Sequence, residues 1–342
     1  DRDQAERVLQ RFLAPLGLGE RRLPLADVWL EYVKSPNRNE LAKATLDAKR
    51  QVWMQFAKWM EHFYLPVKDL GGVTADMIAE YLACVKAEVC ASTYNTRVCV
   101  LREIFRILAI KAGLEEDPWE GVRLRPDDSH SRRELTMDEL KRLLDAAKRV
   151  SCTSSTPSTS STSSISEWHK LILIGIYTGL RLGDCCRLDW SQINLAQGVI
   201  QVVPAKTRRH HHRLVTIPIH SALGAALVGQ EAHDNKAMFG PVLPMIAKMY
   251  ARSRCQVSHE LSRIFKQANI TTSVRLEGRH RRTPEATFHS LRHTFVSFAA
   301  NAGVPLHVVQ SIVGHESTAM TRHYYHENLA VLKSAVAAIP TL

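Results

Sequence analysis

Between residues 25 and 112, apolar residues recur every three or four positions, which is the spacing of one face of an α-helix. Three stripes are readable, and Thr74 and Ser92 are placed to cap the helices that carry the second and third. The stripes comprise Trp53, Phe56, Ala57 and Met60, then Ile78, Tyr81, Leu82 and Val85, then Tyr94, Val98, Leu101, Phe105 and Leu108. The pattern predicts a helical domain over 25–128, with the stripes as its core and a short charged helix before it, over 1–24.

A polar linker is predicted where the stripes end. Gly113 and Pro118 close the last helix, and the segment GVRLRPDDSHSRRE follows. Thr136 and Glu139 then form a capping box, with Leu135 and Leu140 placed for a hydrophobic staple. A second domain is therefore expected over 129–342.

Within this second domain the pattern changes several times. SCTSSTPSTSSTSSIS, over 151–166, cannot form a packed core and predicts a flexible loop, either an inert insertion or a regulatory element. A buried helix, LILIGIYTG, and two strands, VIQVV and RLVTIPI, come next, joined by PAKTRRHHH. The remainder is mainly helical, so the fold class expected is mainly α with a small antiparallel β-sheet.

The net charge bears on the partner of this protein, and the cysteine content bears on whether it holds disulfides or zinc. The 342 residues carry a formal net charge of +11, which favours a polyanion but also fits a plain basic protein. Seven cysteines without a CxxC pair argue against a structural zinc site or a secreted disulfide framework, so Cys185 and Cys186 are expected to be buried thiols. No apolar run approaches the length of a bilayer span.

Several side chains in the C-terminal half suit phosphate chemistry without a metal, since close carboxylate patterns are missing around them. They are Arg181, Lys206, His289, Arg292, His315 and Tyr324. Guanidinium groups can grip non-bridging phosphate oxygens, histidines can exchange protons and tyrosine can attack phosphorus. Each also has a plainer explanation: Arg181 as a surface or capping charge, His289 as a core histidine with His293 the alternative, and Lys206 as a solvated charge.

Four motifs in order resemble the tyrosine recombinase (phage integrase) family: TGLRLGD, the hairpin AKT, HSLRHTF and VGHESTAMTRHYYH. The similarity covers 129–342 and extends more weakly to 25–128, which looks like the family's core-binding domain. The resemblance implies that the two domains clamp a DNA duplex. It also allows 1–24 to be a remnant linker after an arm-binding domain, and the tail over 328–342 to be exchanged between protomers.

The resemblance assigns a role to each position that matches. Arg181, Arg292, His289 and His315 would be catalytic, Lys206 would protonate the leaving 5′ oxygen, and Asp184 would support Arg181. Tyr324 would be the nucleophile, because it follows His315 by nine positions and precedes His326 by two, whereas Tyr325 lacks both relations. DNA contacts are expected from Arg97, Arg102, Arg106, Arg208 and Arg209, although a solvated face is the commoner use of such charges.

The implied activity is site-specific recombination of double-stranded DNA through a 3′-phosphotyrosyl intermediate and a Holliday junction. It would need no metal or cofactor and would use a homo-tetramer on two sites, with accessory DNA-bending proteins possible, in the bacterial cytoplasm at the nucleoid. Two rivals stay open: a type IB topoisomerase-like relaxase, and a catalytically inactive protein that bridges DNA sites.

Overall fold

The computed structural model describes residues 5, 8, 23–126, 128, 132–150, 166–205, 214–228, 239–276 and 282–313. The described residues divide into two compact units, the first reaching residue 128 and the second beginning at residue 132. The predicted leading helix over 1–24, the serine-rich loop and the C-terminal tail lie largely or wholly outside the described residues.

The first unit is built from four helices around an aromatic core. They are α1 (Leu25–Lys34), α2 (Lys43–Phe63), α3 (Ala75–Glu88) and α4 (Ala91–Ala112), with a short 3-10 turn at Leu70–Gly72 between α2 and α3. The three apolar stripes are buried as predicted, and Phe56, Phe105 and Trp119 pack ring against ring near the centre. Thr74 caps α3, accepting the amide N–H of Met77 as expected.

The start of α4 differs from the prediction. Ser92 does not cap it, because the helix begins one residue earlier, at Ala91, with Cys90 in the capping position and no side-chain cap of its own. The Ala91 N–H instead donates to the carboxylate of Asp128, 3.1 Å from each oxygen. A residue distant in sequence therefore supplies the helix terminus with its acceptor, which local spacing cannot reveal.

The second unit is organised around one buried helix. Helix α5 (Met137–Arg149) has the predicted capping box of Thr136 and Glu139, and Leu135 and Leu140 are both buried. Helix α6 (Glu167–Thr178) is buried on nearly every side, as its unbroken apolar run predicted, and a four-residue helix, α7 (Leu182–Cys185), follows it. Cys185 and Cys186 are free, buried thiols, as expected.

A three-stranded antiparallel sheet, in the order β1-β2-β3, follows α7. It consists of β1 (Ile193–Asn194), β2 (Val199–Val202) and β3 (Val215–Pro218), and Ile200 pairs with Ile217 at its centre. A second sheet of two short strands, β4 (Ser273–Val274) and β5 (Thr283–Pro284), was not predicted. Two residues are too few to show the alternation by which strands are recognised.

The remaining described elements are helices. They are α8 (Ser221–Val228), α9 (Pro244–Arg252), α10 (Arg254–Gln267), α11 (Phe288–Asn301) and α12 (Leu306–Val313). The expected fold class, mainly α with a small antiparallel sheet, is confirmed. None of the helices in the described ranges is both long and apolar enough to cross a bilayer.

Candidate active site

The site begins where two helices of the second unit approach closely. A Cβ added at Gly175 of α6 would lie 2.7 Å from Phe288 and 2.9 Å from Leu291 of α11, so glycine is needed for this contact. Gly179 ends α6 in the left-handed conformation, at φ +63°, which glycine adopts without strain. The chain then turns sharply, and Arg181 takes the position that caps α7.

Arg181 carries the unusual feature of the site. Its Nη1 is buried and has no hydrogen-bond partner among the described residues. A buried guanidinium N–H left without an acceptor is costly, and such groups in folded proteins are few. A charged oxygen supplied from outside the described chain would satisfy it.

Arg292 lies on α11 and is almost fully buried. Its guanidinium donates from Nη1 to the Gly179 carbonyl at 2.8 Å and from Nη2 to the Val313 carbonyl at 2.7 Å. It therefore joins the turn before Arg181 to the end of α12. Burial, followed by the positive charge of Arg181, lowers the pKa of Arg292 to about 9, so the group remains charged at neutral pH.

His289 lies one turn before Arg292 on α11. It is in the first turn of that helix, whose start is capped by Thr287 and Ser290. Burial and, after it, the charges of His293, Arg292, Arg132 and Arg181 together lower its pKa to about 3. His289 is therefore neutral at neutral pH. Its ring meets that of His293 edge to face, with the centroids 4.7 Å apart.

Asp184 contacts the segment that follows β2. One of its carboxylate oxygens accepts the Ala205 N–H at 3.0 Å and lies 3.3 Å from Arg187 Nη2. Its negative charge opposes the lowering of the Arg292 pKa. Asp184 thus fixes the end of the segment that leads to Lys206, and direct support of Arg181 stays a prediction.

The structure brings Arg181, His289 and Arg292 into one electrostatic cluster, with Asp184 at its edge. Five other predicted residues lie outside the described residues: Lys206, Arg208, Arg209, His315 and Tyr324. Their assignments stay predictions. The described chain does reach Ala205, one residue before Lys206, and Val313, two residues before His315.

The predicted DNA contacts of the first unit are placed on α4. Arg102 donates to the carbonyls of Trp119 and Val122, so its guanidinium also holds the chain beyond α4. Arg97 acts on the hydroxyl of Tyr81, opposing the rise in pKa that burial causes there. Arg106 is exposed. DNA contact by these three arginines remains a prediction.

Two groups near the cluster were not assigned from the sequence. Arg132 is close enough to lower the pKa of His289, although it belongs to the polar linker, more than 150 positions earlier in the chain. His293 was held as an alternative to His289, and its place one helical turn later puts the two rings in contact. The HxxxH spacing was the available signal for this pair.

The chemistry open to this cluster follows from its charges. Two guanidinium groups can bind the non-bridging oxygens of one phosphate, and a neutral imidazole can accept or share a proton. Among the described residues no group of three or more histidine, cysteine, aspartate or glutamate side chains is arranged to hold a metal ion. The described part of the cluster is thus built to bind an anion.

The described residues form a mainly helical fold with a small antiparallel sheet, and its second unit holds a cationic cluster that suits an anion. A sequence model of the phage integrase family matches residues 133–330. The chain belongs to the phage integrase family of tyrosine recombinases, as the four motifs indicated.

Individual relatives agree with this membership. The chain is 24% identical over 313 residues to the tyrosine recombinase XerC of Halalkalibacterium halodurans, a match covering 87% of this chain and 90% of that protein. It is 25% identical over 159 residues to the integrase of Salmonella phage P22, which covers 46% of this chain and 38% of that integrase.

Solved structures share the fold. A lambda integrase dimer bound to a COC′ core site matches with a TM-score of 0.65 and 20% identity, over 90% of this chain and 78% of that one. The Tn1549 transposon integrase in complex with a circular intermediate DNA matches with a TM-score of 0.63 and 17% identity, over 93% and 100%.

Proposed function

We propose that this protein is a site-specific DNA recombinase of a mobile element that cuts and rejoins strands through a covalent phosphotyrosine. The observation that carries the proposal is the buried Nη1 of Arg181, without a partner among the described residues, beside the buried charge of Arg292 and the neutral ring of His289. A DNA phosphate brings the negative charge and the acceptor oxygens that this cluster lacks.

In the proposed cleavage step the phenolic oxygen of Tyr324 bonds to phosphorus and the bond from phosphorus to the 5′ oxygen breaks. Arg181 and Arg292 bind the non-bridging oxygens while the phosphorus is five-coordinate. Lys206 gives a proton to the departing 5′ oxygen, which leaves as a hydroxyl. The product is a 3′-phosphotyrosyl link that retains the energy of the phosphodiester for rejoining.

His289 and His315 take the proton-handling roles. His289 is neutral at neutral pH, so its ring can accept the phenolic proton or a hydrogen bond. A bound phosphate raises the pKa of His289, because a nearby negative charge favours the imidazolium form. DNA binding therefore makes His289 a better base at the moment when a base is needed.

Rejoining reverses the cleavage step with a 5′-hydroxyl from a partner duplex. Exchange of two strand pairs through a Holliday junction requires four protomers on two sites, with both units contacting duplex DNA. A lambda integrase tetramer bound to a Holliday junction has the same fold, with a TM-score of 0.61 and 18% identity over 90% of this chain. We place the protein in the cytoplasm, where its DNA substrate lies, and propose that the reaction needs no metal.

The test uses nicked suicide duplexes taken from the DNA that flanks the protein's own gene. We expect the wild type and Tyr325→Phe to form a covalent protein–DNA adduct and Tyr324→Phe to form none, while all three bind the duplex equally. An adduct that persists in Tyr324→Phe contradicts the assignment. Relaxation of supercoiled DNA without recombinant products points to a topoisomerase, and binding without any adduct to a bridging protein.

A further inference from the structure

A second group of cationic side chains lies beside the α7 turn, and the proposed function does not use it. Arg187 and Arg254 both stack on Tyr250 of α9, with guanidinium carbons 5.4 Å and 5.8 Å from the ring centroid. The three residues, here called the arginine–tyrosine cluster, belong to α9, to the start of α10 and to the segment after α7. Such contacts hold two flexible cations in defined positions.

Gly183 ties this cluster to the turn that carries Arg181. A Cβ at Gly183 would lie 2.5 Å from the Tyr250 hydroxyl oxygen and 3.2 Å from Arg187 Nη2. A larger residue at position 183, two residues after Arg181, would displace the tyrosine or the arginine from these positions. The ring therefore rests directly on the short helix that Arg181 caps.

The charges of the cluster are incompletely balanced. Arg187 has Asp184 at 3.3 Å, but that carboxylate also accepts the Ala205 N–H and acts on Arg292. Among the described residues no carboxylate lies within ion-pair distance of Arg254. The arginines are also accessible, since the Arg187 side chain is 45% exposed and Arg254 is exposed.

An anion with more than one charged group suits the two arginines, since each guanidinium can then bind a group of its own. A nucleic-acid backbone fits this requirement, since its phosphates repeat along the strand at regular intervals. Arg181 lies two residues before Gly183, so the cluster adjoins the turn at which the proposed function places the cleaved phosphate.

We infer that Arg187, Tyr250 and Arg254 form a phosphate-binding site for the DNA backbone next to the phosphate held by Arg181. The inference rests on the proposed function and extends it. The two arginines bind phosphates that flank the cleaved one, and Tyr250 is a positioning residue that holds both guanidinium groups. These contacts carry no sequence information and set the register of the duplex on the protein.

The test measures the affinity for a fluorescein-labelled duplex of mixed sequence as salt is raised. Each phosphate contact contributes about 0.9 to the slope of log K against log salt, so Arg254→Gln and Arg187→Gln should each flatten the slope by about that amount. Tyr250→Leu should weaken binding about fivefold, while Tyr250→Phe, which keeps the ring, should bind like the wild type. The matched control is Arg263→Gln, since Arg263 on α10 is paired with Glu260 at 2.9 Å.

Thermal melts confirm that each variant is folded. The inference is overturned if Arg187→Gln and Arg254→Gln keep the slope of Arg263→Gln, or if Tyr250→Phe weakens binding as much as Tyr250→Leu. Failure of the proposed function is distinguishable, because the wild type itself would then form no adduct. A wild type that binds the duplex without dependence on salt overturns both.

Discussion

Each unit buries charged side chains, and the two units treat them in opposite ways. In the first unit Tyr32 is fully buried, and its hydroxyl donates to Glu103 at 2.8 Å. Lys49 donates to the same carboxylate and to the Tyr32 hydroxyl. Burial acts to lower the pKa of Lys49 and to raise that of Glu103, yet their hydrogen bonds prevail, so the lysine pKa is raised and the carboxyl pKa lowered.

The cluster of Arg181, His289 and Arg292 shows the reverse. The pKa of Arg292 falls to about 9 and that of His289 to about 3, and burial and neighbouring positive charges act together on both. Asp184 offsets this only in part. Lys49 is balanced within the chain by Glu103, whereas a buried cation that is left unbalanced marks a place where a ligand can supply the missing charge.

The largest effect that separates the two regions is expected from Arg181→Gln. Adduct formation should slow by roughly 10²- to 10³-fold, as for other losses of a donor to a transition-state oxyanion. The melting temperature should stay level or rise, since a buried N–H without a partner is removed. Rates are measured by single-turnover gel assays on the suicide duplex.

Arg142→Gln is the matched control for this substitution. Arg142 donates to the Ala268 carbonyl at 3.0 Å and lies outside the cationic cluster, so its loss should leave the rate of adduct formation intact. If Arg181→Gln formed the adduct at the wild-type rate, the cluster would not be catalytic.

Lys49→Met should lower the free energy of unfolding and leave the rate of adduct formation unchanged, which is the opposite of the result expected for Arg181→Gln. Glu103 and Tyr32 lose a charged donor, and the free energy of unfolding should fall by about 2 kcal/mol. Urea denaturation followed by tryptophan fluorescence measures this, with Lys58→Met at an exposed position of α2 as the control. The rate of adduct formation per folded molecule should not change, and a loss in rate larger than the loss in folded protein would contradict the comparison.

The free energy of unfolding should depend on pH because His289 is held neutral in the folded protein. Its pKa is about 3 in the folded protein and about 6.5 when unfolded. Between these values the unfolded chain binds more protons, so the free energy of unfolding falls as the pH falls below about 6.5, by at most about 1.4 kcal/mol per pH unit. Denaturation at a series of pH values should show a weaker dependence in His289→Gln than in the wild type.

His259→Gln, at an exposed position of α10, is the control and should keep the wild-type pH dependence. Saturating duplex DNA should reduce the dependence in the wild type, because a bound phosphate raises the pKa of His289. If wild type and His289→Gln respond identically to pH, the histidine is not held neutral by its surroundings.

The local patterns of this chain were sufficient for most of its helices. Thr136 and Glu139 lie three residues apart and identify the start of α5, and the apolar run before Gly179 identifies the buried helix α6. The motifs around Arg181 and Arg292 identified the family as well. Each of these signals depends on residues a few positions apart, so it can be read from a single sequence.

Features that depend on distant residues were missed. Asp128 supplies the acceptor at the start of α4, thirty-seven positions from Ala91, so spacing suggested Ser92 instead. The bond from the Ala205 N–H to Asp184 also joins residues 21 positions apart, so the sequence did not reveal it. The contact of Tyr250 with Arg187 and Arg254 likewise arises from helix packing that no local pattern encodes.

The central claim is that a tyrosine near the carboxyl end attacks a phosphate bound by Arg181 and Arg292. Its most direct test is to trap the covalent complex, digest it with trypsin and sequence the DNA-linked peptide by mass spectrometry. A single modified residue, Tyr324, is expected, and its DNA-linked peptide should form far more slowly in Arg181→Gln. Attachment at Tyr325 or at any other side chain, or a Tyr324 adduct that forms equally well without Arg181, would contradict it.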